Sequence, residues 1–332
     1  MTDSSTVLIS GVGQLGSRYL QGLIACSNRL RVFIQDPDAA ARAIAIRRWD
    51  DAGGASSLHV VSAHEEIADI PQNLDLAIVA TTAAVRPIVV EQVANRAAVR
   101  MWILEKVLAQ NSDGLDRIQD AVGMQSAAWV NTWARTTPWY QRIRGNRPHS
   151  PVRCSVEGGS WGLACNAVHF LDLISWWSGE TLVDVNAKGL DHKWLPGKRP
   201  GNFEVSGVLV ATYSGGSVCR LSAGLPDNAS ELAGSVNPDF LQIEGESSAW
   251  MIVEPFASET GLARSSDGSE ISGRIELQSE RTTGLVNHLL DNGTADLPDL
   301  AVSIVQHRLF LDAMLDRWRE SHETRDDLVP IT

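Results

Sequence analysis

"TVLISGVGQLG", residues 6–16, decides how the rest of the chain is read. A short apolar run ends in glycine, and Gly11, Gly13 and Gly16 follow in G-x-G-x-x-G spacing. Each glycine has its own physical task. Gly11 permits a tight turn out of a strand, Gly13 lets the backbone approach a pyrophosphate, and Gly16 lets helix and strand pack closely. The helix opened by this loop offers backbone N–H groups to the pyrophosphate. Six residues alone are a weak pattern, and a glycine turn with no ligand fits them as well. The context is more specific, because an acid closes the next apolar run, "RVFIQD" (31–36). A carboxylate at Asp36 accepts hydrogen bonds from both ribose hydroxyls and repels a 2′-phosphate, which points to NAD over NADP. Asp38 competes for the same ribose role. Gln14, Leu15, Thr81 and Glu105 complete the expected cofactor contacts.

Working outward, strand-like and helix-like segments alternate up to about residue 110. "LHVVS" (58–62), "LDLAIVATT" (74–82) and "MWILEK" (101–106) read as further strands, and "AVRPIVVEQVANR" (84–96) as a helix. This order predicts a parallel sheet with helices on both faces. Beyond residue 129 extended segments dominate. "FEVSGVLVATYSGGSVCRLSAG" (203–224) reads as a hairpin turning at "SGG", and "DFLQIEGESSAWMIVE" (239–254) as a second strand pair. Residues 257–273, rich in Ser, Gly and Glu, read as a mobile surface loop. "LPDLAVSIVQHRLFLDAMLDRW" (297–318) reads as a closing amphipathic helix. The expected fold class is α/β. A Rossmann-type, doubly wound parallel sheet (1–128) binds the dinucleotide. An α+β domain on a largely antiparallel sheet (129–332) serves substrate and oligomer contacts.

The 332 residues carry a net charge of −12 with no basic run, which argues against nucleic acid and anionic membranes as partners. The four cysteines lie far apart without a metal-binding spacing, so no metal site is expected. The N-terminus has neither a basic segment nor a long apolar core, so a cytoplasmic protein with free thiols is expected.

Chemistry concentrates in two places. Lys106 ends a central strand, where ligands bind in such sheets. There a lysine can hydrogen-bond a substrate hydroxyl or stabilise an alkoxide, and a plain surface lysine paired with Glu105 fits equally. The second place is "GGSWGLACNAVHFLDLISWW" (158–177), an apolar helix carrying Cys165, His169, Asp172 and Trp176 on one face. His169 with Asp172 is either a self-satisfied buried pair or a general acid/base with its orienting carboxylate. Trp129, Trp133, Trp139 and Trp161 offer aromatic faces for stacking a ligand, or core packing. Arg135 and Arg142 suit a substrate carboxylate or phosphate.

These motifs, in this order, resemble the glucose-fructose oxidoreductase and inositol dehydrogenase family of NAD(P)-dependent oxidoreductases. The family's E-K-P signature is matched by "EKV" (105–107), and its second signature, glycines then D-x-x-x-H-x-x-D-L, by "GGSWGLACNAVHFLDL" (158–173). The closing helix is also similar, so the resemblance covers nearly the whole chain. "SWGLACNAVHFLDL" is similar, too, to family members associated with bacterial surface-carbohydrate synthesis. The resemblance implies a second domain with an open antiparallel sheet, often used for oligomer contacts, and hence a homodimer or homotetramer. It implies hydride exchange at a hydroxyl-bearing carbon of a sugar, amino sugar or nucleotide sugar. Lys106 and His169 would act there with Asp172, and Arg86, Trp161, Cys165 and Asn166 would contact substrate.

Three residues depart from the family pattern. Val107 replaces proline after the lysine. A cis bond before valine costs about 2.5–4 kcal/mol, so a trans Lys106–Val107 bond is expected. Cys165 stands where the family has aspartate, and an ordinary thiol is mostly neutral at pH 7, which makes it a packing residue. Arg86 stands where a histidine is often found. These departures keep open a second class of function, a dinucleotide-binding sensor or assembly protein without turnover.

Overall fold

The apolar run that opens the chain becomes β1 (Ser5–Ser10), whose last four residues are buried. It lies at the centre of a parallel sheet with β2 (Leu30–Gln35), β3 (Val60–His64), β4 (Asn73–Val79), β5 (Ala98–Glu105) and β6 (Ala127–Asn131). The order is β3-β2-β1-β4-β5-β6. Residues 76–79 and 101–105 are buried without alternation, as expected of parallel strands covered on both faces. Four helices fill the connections: α1 (Gly16–Leu23), α2 (Ala39–Asp51), α3 (Arg86–Arg96) and α4 (Ser112–Val122). Strand order reverses between β1 and β4. Loops leaving the carboxyl ends of strands at such a switch point form the usual ligand crevice, and Gly11 and Thr81 stand there. The computed structural model describes residues 4–145, 151–224, 240–246, 248–254 and 260–332.

The chain divides into two compact units. The first holds Met1–Ala109, Asp113–Asn131 and Glu276–Ile304; the second holds Gln110–Ser112, Thr132–Ile275 and Val305–Thr332. The boundary expected at 128/129 falls inside β6, which is the sixth strand of the parallel sheet because Trp102 pairs with Ala128 and Ile103 with Trp129. The chain later returns to the first unit as α7 (Gln278–Asn292), whose Val286 and Leu289 join the core around Tyr19, Leu20 and Leu23 of α1.

The second unit is built on β7 (Arg153–Gly158), β8 (Leu182–Pro196), β9 (Phe203–Tyr213), β10 (Val218–Ala223), β11 (Phe240–Glu244), β12 (Ala249–Val253), β13 (Gly261–Ser265) and β14 (Glu270–Gly273). Their order is β14-β13-β12-β11-β7-β10-β9-β8. Every pairing is antiparallel except β7 with β10. The hairpin expected at "SGG" joins β9 to β10, with Gly216 at φ +95°. The loop expected at 257–273 is instead largely β13 and the edge strand β14, two short strands with few apolar residues and so little apolar signal; residues 257–259 lie outside the described residues. Helix α5 (Pro138–Gly145) packs on β14, and α6 (Leu163–Ser178) on β9 and β10. The closing helix α8 (Leu300–His322) passes from the first unit into the second. Among the described residues no helix is long and apolar enough to cross a membrane.

Just past β12 stands Glu254, only 8% exposed, with the hydroxyl of Tyr140 donating to its carboxyl group. Burial pushes this carboxyl from an ordinary 4.5 up to about 7, while the Tyr140 bond pulls the other way. The folded chain therefore keeps a proton that the unfolded chain has already lost. Stability falls as pH rises from about 4.5 to about 7 and then levels, a change on the order of 3 kcal/mol. Glu254→Gln removes this slope. Urea unfolding of both proteins at pH 5 and pH 8 checks it, and matching pH dependences for the two would refute the assignment.

Candidate functional site

In the first unit the glycine loop takes the conformation its spacing predicts. Gly11 has φ +82°, and a Cβ there would lie 2.8 Å from Thr81 Cγ2. At Gly16 a Cβ would lie 1.9 Å from the carbonyl oxygen of Gly11, so the turn closes only on two glycines. Gly13 differs, because a Cβ there meets nothing within 4 Å and the loop presents bare backbone to open space. Helix α1 has no side-chain cap at its N-terminus, which leaves leading N–H groups for an anion. Leu15 is its half-buried N-cap, and exposed Gln14 accepts from Arg48 at 3.0 Å.

Asp36 is oriented by the loop. Its Oδ2 accepts from Val12 N at 2.8 Å and its Oδ1 from Asp38 N at 2.9 Å. Asp38, the alternative ribose ligand, instead caps α2 by accepting from Ala40 N at 2.8 Å. Thr81 Oγ1 is buried and has no hydrogen-bond partner among the described residues. An open backbone cradle, an uncapped helix, a preset carboxylate and an orphaned hydroxyl together fit the phosphates and ribose of a dinucleotide. The chain's own residues that would hold one are Gly11, Gly13, Gln14, Leu15, Gly16, Asp36 and Thr81.

Two expected contacts of this unit are placed elsewhere. Glu105 is 3% exposed and accepts from Tyr19 at 2.5 Å and from Asn131 at 2.7 Å. Asn131 also donates to Gln278 at 3.0 Å, tying β5, β6, α1 and α7 together. Burial and the adjacent Glu105 carboxylate hold the Tyr19 hydroxyl well above its usual range. Glu105 is thus a buried support rather than a cofactor contact. Arg86, expected at the substrate, is 1% exposed and donates to the carbonyls of Val107 and Thr81. The Lys106–Val107 bond is cis, not trans as expected. Its surroundings overrule the local preference, since Val107 is fully buried and its carbonyl is claimed by Arg86. Lys106 itself, directly after β5, is half-buried.

In the second unit α6 begins at Gly162, a left-handed N-cap at φ +77°, and is buried along most of its length. Glu204 of β9 supplies the missing cap, accepting from Ala164 N at 2.9 Å and Cys165 N at 3.2 Å. Sequence reasoning missed Glu204, which lies in a strand about forty residues away, with no local signal. Cys165 is half-buried, and Asn166 donates to the Trp161 carbonyl at 2.9 Å. Trp161 is 1% exposed, with its indole N–H on Ser222 O at 2.8 Å, so it is a core residue and not a substrate contact.

His169 is 8% exposed, its ring centroid 6.0 Å from that of Trp133. Asp172 does not serve it as expected. The carboxylate is fully buried and accepts from Thr132 Oγ1 at 2.6 Å and from Arg135 through Nε at 2.9 Å and Nη2 at 2.5 Å. A buried carboxylate needs a cation with several donors, and the guanidinium fork provides them. Arg135 is thereby engaged, and Arg142 donates to Ser272 O at 2.7 Å.

The sequence matches no protein-family model and no curated protein. Solved structures share its fold over nearly the whole chain. A UDP-N-acetylglucosamine 3-dehydrogenase from Acidithiobacillus ferrooxidans aligns at TM-score 0.66 and 13% identity, covering 96% of this chain and 100% of that one. A myo-inositol dehydrogenase from Lactobacillus casei, solved with NAD(H) and myo-inositol, aligns at TM-score 0.66 and 14% identity, covering 96% of each chain. The transcriptional regulator Gal80p from Kluyveromyces lactis aligns at TM-score 0.68 and 11% identity, covering 96% of this chain and 93% of that one. At these identities the likeness carries the fold, and the fold is the one the sequence resemblance implied.

The loop geometry separates its glycines experimentally. Gly13→Ala should change unfolding free energy by less than about 1 kcal/mol, whereas Gly16→Ala should cost more than about 3 kcal/mol because backbone must move. Denaturant titration of both variants reads the difference directly.

Proposed function

From the shared fold and the glycine loop, we propose that the chain is a NAD-dependent oxidoreductase. It moves a hydride to or from a hydroxyl-bearing carbon of a sugar, amino sugar or nucleotide sugar. The observation that carries this is Asp36, held by Val12 N beside an open glycine cradle, in a fold found in sugar and cyclitol dehydrogenases. Bound NAD supplies the hydride acceptor or donor. The chain's part is positioning and proton transfer. Lys106 holds the reacting oxygen and stabilises negative charge there as C–H and C=O character exchange. His169 carries the proton. Asn166 contacts substrate, and Cys165 packs without taking a proton. The protein acts in the cytoplasm as a homo-oligomer, a reading supported by exposed Met251 and Val253 on β12.

A second class remains attached to one observation, the likeness to a transcriptional regulator. A sensor would bind the dinucleotide and turn nothing over. Absorbance of reduced nicotinamide, followed across a panel of sugars and nucleotide sugars, separates the two.

NAD should bind more tightly than NADP by calorimetry, and Asp36→Ala should narrow the gap by removing the anion that opposes a 2′-phosphate. Equal affinities in the wild type would contradict the ribose assignment. Lys106→Ala and His169→Ala should each lower turnover about 10²–10⁴-fold while cofactor affinity stays within a few-fold. Near-normal rates in both would remove these residues from the chemistry.

A further inference from the structure

Asp172 is fully buried, yet its hydrogen bonds run to the turn that contains Trp133. Thr132 and Arg135 flank that indole on either side in sequence, and both donate to the one carboxylate. The Trp133 carbonyl accepts from Thr137 Oγ1 at 2.8 Å and from Thr136 Oγ1 at 3.3 Å. The turn is therefore pinned through its own backbone and through both neighbours. The indole is wedged as well: Tyr140 lies at 5.1 Å and 77°, Phe170 at 6.5 Å and 87°, and His169 at 6.0 Å and 54°.

Rigid mounting of this kind is usual for a core tryptophan, but Trp133 is only half-buried. Trp139 and Trp161, the other tryptophans of this unit proposed for stacking, are each 1% exposed. An indole that keeps an accessible surface while its backbone is pinned and three aromatic rings pack against it costs little further entropy when a ligand settles on it. Its neighbour in that position is His169.

We infer that Trp133 is the stacking platform for the apolar C–H face of a ring-form carbohydrate or cyclitol, held in place by the Asp172–Arg135–Thr132 clamp. This rests on the proposed function for the carbohydrate class of the ligand and for the part His169 plays in turnover. A ring with several axial C–H bonds on one side presents a flat apolar patch that matches an indole, whereas an open-chain polyol presents none. The platform thus selects cyclic substrates. Asp172 acts through Trp133 and is a positioning residue.

The test uses the full-length protein saturated with NAD and measures binding apart from turnover. Methyl β-D-glucopyranoside, myo-inositol and UDP-N-acetylglucosamine are compared with open-chain glucitol by saturation-transfer NMR and titration. In the wild type at least one cyclic probe should bind, with saturation strongest on the axial C–H protons of one ring face. Trp133→Ala should weaken that probe roughly tenfold and abolish the facial pattern, while Trp133→Phe restores both in large part. Three results overturn the inference: no cyclic probe binds, glucitol binds as well as the rings, or Trp133→Ala leaves affinity and pattern unchanged. Hydride transfer is read separately by absorbance. Binding through Trp133 without turnover would defeat the oxidoreductase and leave the platform standing; turnover with an indifferent Trp133 would do the reverse.

Discussion

A carboxylate removed from water must find donors or give up its charge. Three glutamate or aspartate side chains in this protein meet that demand in three ways, and each solution fixes a different part of the architecture. Glu105 takes neutral donors, Tyr19 and Asn131, and so ties the glycine-loop helix to the strand that ends at Lys106. Asp172 takes a guanidinium and a hydroxyl, and so ties α6 to the turn at 132–137. Glu254, offered only the Tyr140 hydroxyl among the described residues, is driven toward its neutral form. Of the residues named as candidates for chemistry, Lys106 directly follows Glu105, and His169 precedes Asp172 by three positions on α6.

What was legible in the sequence was local. The glycine loop declares itself because every constraint on it acts within six residues, and Asp36 because it closes the next strand. The apolar runs of β4 and β5 are continuous, so their burial on both faces was readable. Long-range roles were not. Nothing near Arg86 reveals that its guanidinium serves carbonyls at Thr81 and Val107, and nothing near Asp172 reveals partners 37 and 40 residues away. Charged residues in an apolar helix suggested a catalytic pair, when one of the two is a structural anchor.

Missed elements have physical reasons as well. β8 is long, but its ladder with β9 shifts register three times, so its buried residues do not alternate with period two. α2 buries only Ala45 and Trp49, too few to leave a helical stripe. α7 opens with polar residues and packs on α1, a contact invisible without the fold. The expected domain boundary failed for the same kind of reason. β6 looks like any apolar strand, and only its pairing with β5 assigns it to the parallel sheet.

The Asp172–Arg135 pair sets geometry in the second unit more than it stabilises the core. A buried ion pair is a poor way to stabilise a core, since apolar residues of the same volume often do as well or better. Its yield is geometric: a planar fork on a carboxylate allows few arrangements, so the turn at 132–137 has few positions to adopt. On the proposed function, that geometry holds one indole and one imidazole at 6.0 Å, where a small ligand would meet His169 in a defined orientation.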